Sequence, residues 1–171
     1  MRFTRTERLL LANQYRILEK LYPDEAGSYA TWREALESGY ELHYGWIAEH
    51  IYEDVMTDAE CREVVDILDM HRALKRAYEA LADKSGIEEW KVKFSGFDGN
   101  NECKQMGYAR YFCAIDGPHD PRFPEVDRGD NFNSHCPTLK RYRAMLAEWN
   151  KSGAKQELTR DDVVRIIDAK G

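Results

Sequence analysis

The chain has no long apolar run, no C-x-x-C pair and no long basic run, and each absence removes a class of function. Without an apolar stretch near the ~20 residues that cross a bilayer, no membrane span is expected. An apolar secretion signal is also missing at the amino terminus. The four cysteines, Cys61, Cys103, Cys113 and Cys136, are scattered, which fits a reducing, cytoplasmic setting better than a disulfide framework. With 25 Lys and Arg against 31 Asp and Glu, the net charge is −6, so a phosphate backbone would be repelled and direct nucleic-acid contact is not expected. A P-loop, a dinucleotide fingerprint, a G-x-S-x-G elbow and a C2H2 finger are all absent, so no cofactor, metal or catalytic residue is assigned.

What is present is enough apolar material, 43% of 171 residues, for one folded domain spanning 1–171. Its pattern is helical. Leu11, Tyr15, Leu18 and Tyr22 recur at helical spacing, and Leu10, Ile17 and Leu21 widen them into a broad face expected to be buried. Pro23 ends that helix, Asp24 is placed to cap a second one with Tyr29, Trp32 and Leu36 inward, and Gly39 closes it. A short third helix should carry Leu42, Trp46, Ile47 and Ile51. Thr57 and Glu60 form a capping box, from which a helix of some 26 residues should run to Asp83 on Val64, Leu68, His71, Leu74, Tyr78 and Leu81. Trp90 to Phe97 alternates loosely but has no strand to pair with, and reads as an extended linker.

Asp98 is placed to cap a fifth helix, in which Gly107 costs about 1 kcal/mol relative to alanine and suggests close packing or a break. From Asp116 to Pro137 helical periodicity vanishes into a long irregular loop rich in proline, glycine and aspartate. Two further helices follow, one from Thr138 through Trp149 and one capped by Thr159 with Asp162. The expected fold class is all-α, a single multihelical domain of about seven helices with one long loop.

Few side chains suggest chemistry. Asp116, His119, Asp120, His135 and Cys136 are of metal-ligating type, but their spacing matches no metal motif and a solvated polar loop explains the same residues better. On the first helix Gln14 falls in line with Leu10, Ile17 and Leu21, where a buried amide must be satisfied by a helix end or by a ligand. Asp98 and Glu102, four apart, could be an acid and base pair, or simply a cap and a solvated carboxylate. His71 reads as a packed histidine. The candidate ligand-binding set is Asn13, Gln14, Tyr15, Asp98, Glu102, Tyr108, Arg110, Asn133 and His135.

Asn13-Gln14-Tyr15, Gly39-Tyr40 and Gly96-Phe97-Asp98 with Glu102 together resemble the YfbU family. Gly107-Tyr108 with Arg110, Phe132-Asn133, Pro137, Tyr142, Met145-Leu146, Trp149 and Leu158-Thr159 extend the resemblance along nearly the whole chain. The resemblance implies a predominantly helical bacterial or archaeal protein, and a fold rather than an activity. Some relatives attach a helix-turn-helix segment. None is left over here, so DNA contact is expected only through a partner.

Two functional expectations follow. The first is a non-enzymatic module that binds a small ligand or protein partner and forms a homo-oligomer, dimer or higher, through its surplus of 14 Tyr and Trp. The second is a hydrolase or other metal-assisted enzyme using residues 116–136.

Overall fold

Three helices open on the same device, a threonine hydroxyl and an acidic side chain three residues later, each satisfying a free backbone amide of the other. The pairs are Thr4 with Glu7, Thr57 with Glu60 and Thr159 with Asp162. The computed structural model describes residues 1–49, 51, 54–115, 130–153 and 155–170. Among these residues the fold is all-α: α1 (Arg5–Leu21), α2 (Ala26–Ser38), α3 (Tyr44–Ile47), α4 (Asp58–Ala80), α5 (Glu89–Val92), α6 (Cys103–Ile115), α7 (Leu139–Trp149) and α8 (Arg160–Ile167). No described helix is long and apolar enough to cross a membrane. The chain divides into two compact units, Met1–Val55 and Met56–Gly171.

In the first unit α1 packs on α2 through Ala12 and Tyr15, with Leu11 and Leu18 half-buried beside them. Tyr15 meets Tyr29 and Trp32 at ring separations of 6.1 and 5.6 Å, over a fully buried Leu36. The broad buried face expected of α1 is not found. Leu10, Ile17 and Leu21 are 61%, 52% and 64% exposed, because one partner helix covers a single stripe and the second stripe is left to solvent. Asp24 does not cap α2 either. It sits in a 3-10 turn, Pro23–Glu25, and the N-cap residue is Glu25, whose side chain makes no capping bond to α2. Gly39 closes α2 at φ +79° as expected. The third helix shrinks to a 3-10 turn, Glu41–His43, and the single turn α3, which buries Tyr44 and leaves Leu42, Trp46 and Ile51 exposed. One turn interrupted by Gly45 has no length over which to form an apolar stripe.

The second unit is organised on α4, 23 residues and about 35 Å long. It ends at Ala80, three residues early, where Leu81 turns extended. Val64, Ile67, Leu68, Met70 and Leu74 are fully buried in a core shared with α6, α7 and α8. Residues 90–97 are no linker. They begin with the turn α5 and send Val92, Phe94 and Phe97 into that core. The missing pairing partner lies across the long loop, where the Phe97 amide donates to the Phe132 carbonyl at 2.8 Å and Ser134 donates back to the Phe97 carbonyl at 3.1 Å. Gly107 marks neither a break nor close packing. α6 runs through it, and a Cβ there would meet nothing within 4 Å.

Candidate functional site

The loop at 96–102 and the segment 130–138 interlock, and the reason begins with a glycine. Gly96 takes φ +93°, and a Cβ at this position would collide with the Phe132 carbonyl. Opposite it, Asn131, Phe132 and His135 all adopt left-handed φ of 51°, 65° and 57°. Asparagine tolerates that region; phenylalanine does so at a cost, offset by burial of its ring beside Phe94 at 6.2 Å.

Glu102 is the centre of this clasp. It is buried rather than solvated. Its carboxylate accepts from the Asp98 amide at 2.9 Å, from the Thr138 amide at 2.9 Å and from the Leu139 amide at 2.7 Å. A side chain at the start of α6 thus caps the start of α7, where free amides and the helix dipole both favour negative charge. Thr138 completes the joint by donating to the Gly96 carbonyl at 2.8 Å, beside the Tyr142 hydroxyl on the same oxygen at 3.1 Å.

Asp98 does not cap α6, which begins five residues later. It forms a local turn by accepting from the Asn101 side chain and from the Asn100 amide, and those bonds hold its carboxyl below the usual aspartate range. Asn133 accepts from Gly99 and His135 amides, both at 3.1 Å. His135 reaches Asp130 at 2.8 Å, and Arg110 donates to the Asn131 carbonyl at 2.7 Å. The fold therefore gathers five of the nine sequence candidates: Asp98, Glu102, Arg110, Asn133 and His135. It gathers them as a joint. Both Glu102 oxygens are occupied by backbone amides and the bonds to Asp98 favour its ionised form, so neither carboxyl is arranged as a general acid.

The other candidates lie elsewhere. Tyr108 is half-buried on another face of α6, against Tyr111 and Phe112 at 6.3 and 6.0 Å. Tyr15 is buried in the first unit, where loss of water raises its phenol pKa. Asn13 and Gln14 are exposed, so Gln14 is not the buried amide expected from its alignment with Leu10 and Ile17. Asn13 borders a groove of about 230 Å³ beside Arg5, Arg8, Arg16, Leu36 and Glu37. Of the ligand-type loop residues, Asp116, His119 and Asp120 lie outside the described residues. Cys136 is exposed. No group of three His, Cys, Asp or Glu side chains able to hold a metal occurs among the described residues.

His71 is packed in the second unit's core. Its Nδ1 lies 3.0 Å from the Val92 carbonyl, which assigns the proton to Nδ1, and its ring meets Tyr142 edge-on at 4.9 Å. Nε2 has no hydrogen-bond partner among the described residues, and burial pushes the imidazole pKa down to about 4.

Sequence reasoning missed Gly96, Phe132 and Thr138, and also the arginines of the α1 groove. A left-handed phenylalanine leaves no sequence signal, and Thr138 looked only like the start of a helix. The arginines were legible, since Arg5, Arg8 and Arg16 recur along one side of a helix. A family model described as the YfbU domain matches residues 1–169, across both units, and the chain belongs to the YfbU family.

Proposed function

We propose that this chain is a non-enzymatic cytoplasmic module that assembles with copies of itself through the first unit. One observation carries the reading: 11 of the 13 exposed large apolar side chains among the described residues fall within Met1–Val55. Isolated exposed apolar residues are ordinary, but a contiguous set is what interfaces are made from. On α1, Leu10, Gln14, Ile17 and Leu21 follow a 4-3-4 spacing that places them on one stripe. That stripe is complementary to itself. In an antiparallel pair of α1 helices Leu10 faces Leu21 of the second copy and Gln14 faces Ile17, the arrangement a two-fold dimer requires. In this reading residues 1–169 work as one family domain, and direct nucleic-acid contact plays no part, in keeping with the net charge of −6.

Sedimentation velocity over a wide concentration range tests the proposal. The wild-type chain should move from monomer toward dimer or larger as concentration rises, and Ile17→Asp with Leu21→Asp should stay monomeric while retaining its helical content. A wild-type chain that is monomeric throughout would remove the proposal.

A further inference from the structure

The groove between α1 and the end of α2 is cationic in an acidic chain, and its charges are unevenly matched. Arg16 is paired with Glu37 at 2.7 Å, and Arg33 with Glu19 and Glu37 at 2.6 and 3.0 Å. Those carboxylates are therefore engaged. Arg8 spends one donor on the Leu36 carbonyl at 3.2 Å and has no carboxylate partner among the described residues. The Arg5 side chain has no hydrogen bond or ion pair among the described residues. Arg5 and Arg8 line the same cavity of about 230 Å³, together with the buried Ala12 and Leu36, with Asn13, and with the Arg16–Glu37 pair.

We propose that this groove binds a small organic oxyanion, with its phosphate or carboxylate held by Arg5 and Arg8 and an apolar portion seated on Ala12 and Leu36. A guanidinium offers a planar fork of donors suited to two oxygens at once, and two forks without carboxylates leave most of those donors available. The amide of Asn13 can donate to the same group or accept from a hydroxyl beside it. A cavity below the ~300 Å³ lower end of common small-molecule pockets admits a compact ligand. The inference does not rest on self-assembly. A monomer that binds, or an assembly that does not, would separate the two.

The test is an NMR titration of the full chain with phenyl phosphate, inorganic phosphate and benzoate, at ionic strength held constant with sodium chloride. Saturable shifts of α1 amides around Leu9 and Asn13 are expected, with phenyl phosphate tighter than inorganic phosphate. The comparison of phenyl phosphate with benzoate decides between phosphate and carboxylate as the anchor. Arg5→Gln should weaken binding about tenfold, whereas Arg8→Lys, which keeps the charge but loses the fork, should weaken it less. Arg143→Gln in the second unit should change nothing. Shifts reproduced by chloride alone, or unchanged in Arg5→Gln, would overturn the site. Equal affinity for the two phosphates would overturn the apolar seat.

Discussion

The two units solve the same burial problem to different degrees. Among the described residues, Met56–Gly171 assembles 22 buried residues into one core and ties a buried carboxylate, Glu102, to three backbone amides, whereas the buried cluster of Met1–Val55 has four residues, Ala12, Tyr15, Leu36 and Tyr44. Size is the physical cause. A short chain has too much surface for its volume, and below about 60 residues a domain is marginal on its own. Two principal helices can cover one stripe of each other and no more, so α1 keeps a second apolar stripe facing water. The larger unit has the helices to surround α4 and the polar joint to fix how they meet.

The largest effect that would sharpen this contrast is a core truncation. Phe97→Ala removes a ring wedged between Phe94 and Tyr142, at 5.4 and 5.7 Å, and should cost about 3–5 kcal/mol in urea unfolding of the second unit. Leu10→Ala, on the exposed stripe, should change the stability of dilute protein by less than about 0.5 kcal/mol. Comparable costs for the two would erase the distinction between the units.

Next comes pH, through His71. Its folded pKa is about 4 against 6.5 in the unfolded chain, so the native core excludes a proton that the unfolded chain takes up. The associated stability is fully present above pH 6.5 and is lost progressively as pH falls toward 4, with about 2 kcal/mol gone by pH 5. Asp98 and Asp162, whose carboxyls lie below their ordinary value of 3.8, lose their contributions only at lower pH. Urea midpoints measured between pH 7.5 and 5 should fall in the wild type and stay nearly flat in His71→Gln. A flat wild-type profile would mean that the core admits the proton.

The smallest effect concerns Gly107. With open space around its position and helical backbone on either side, Gly107→Ala should stabilise the second unit by about 1 kcal/mol, read as a raised melting temperature. No gain, or a loss, would mean that the glycine serves a contact outside the described residues.

Much of the helical layout was legible because its signals are local. Thr57 with Glu60 and Thr159 with Asp162 announce helix starts by side-chain chemistry alone, Gly39 announces an end, and the period of Val64, Leu68 and Leu74 marks the face that α4 buries. The site was half legible: Asp98, Glu102, Arg110, Asn133 and His135 were singled out, but not that Glu102 caps a helix 36 residues away. Nothing local distinguishes a carboxylate that will face water from one that will meet Thr138.

Sequence by itself determined the all-α class, the main helices and the family, because capping and periodicity act over three or four residues and are written in neighbouring side chains. Tertiary structure alone decided which apolar stripes are covered. Leu10, Ile17 and Leu21 satisfy the same periodicity as Leu68 and Leu74, yet the first set is exposed and the second buried. Burial depends on how many partners an element finds, and that number is a property of the assembled fold.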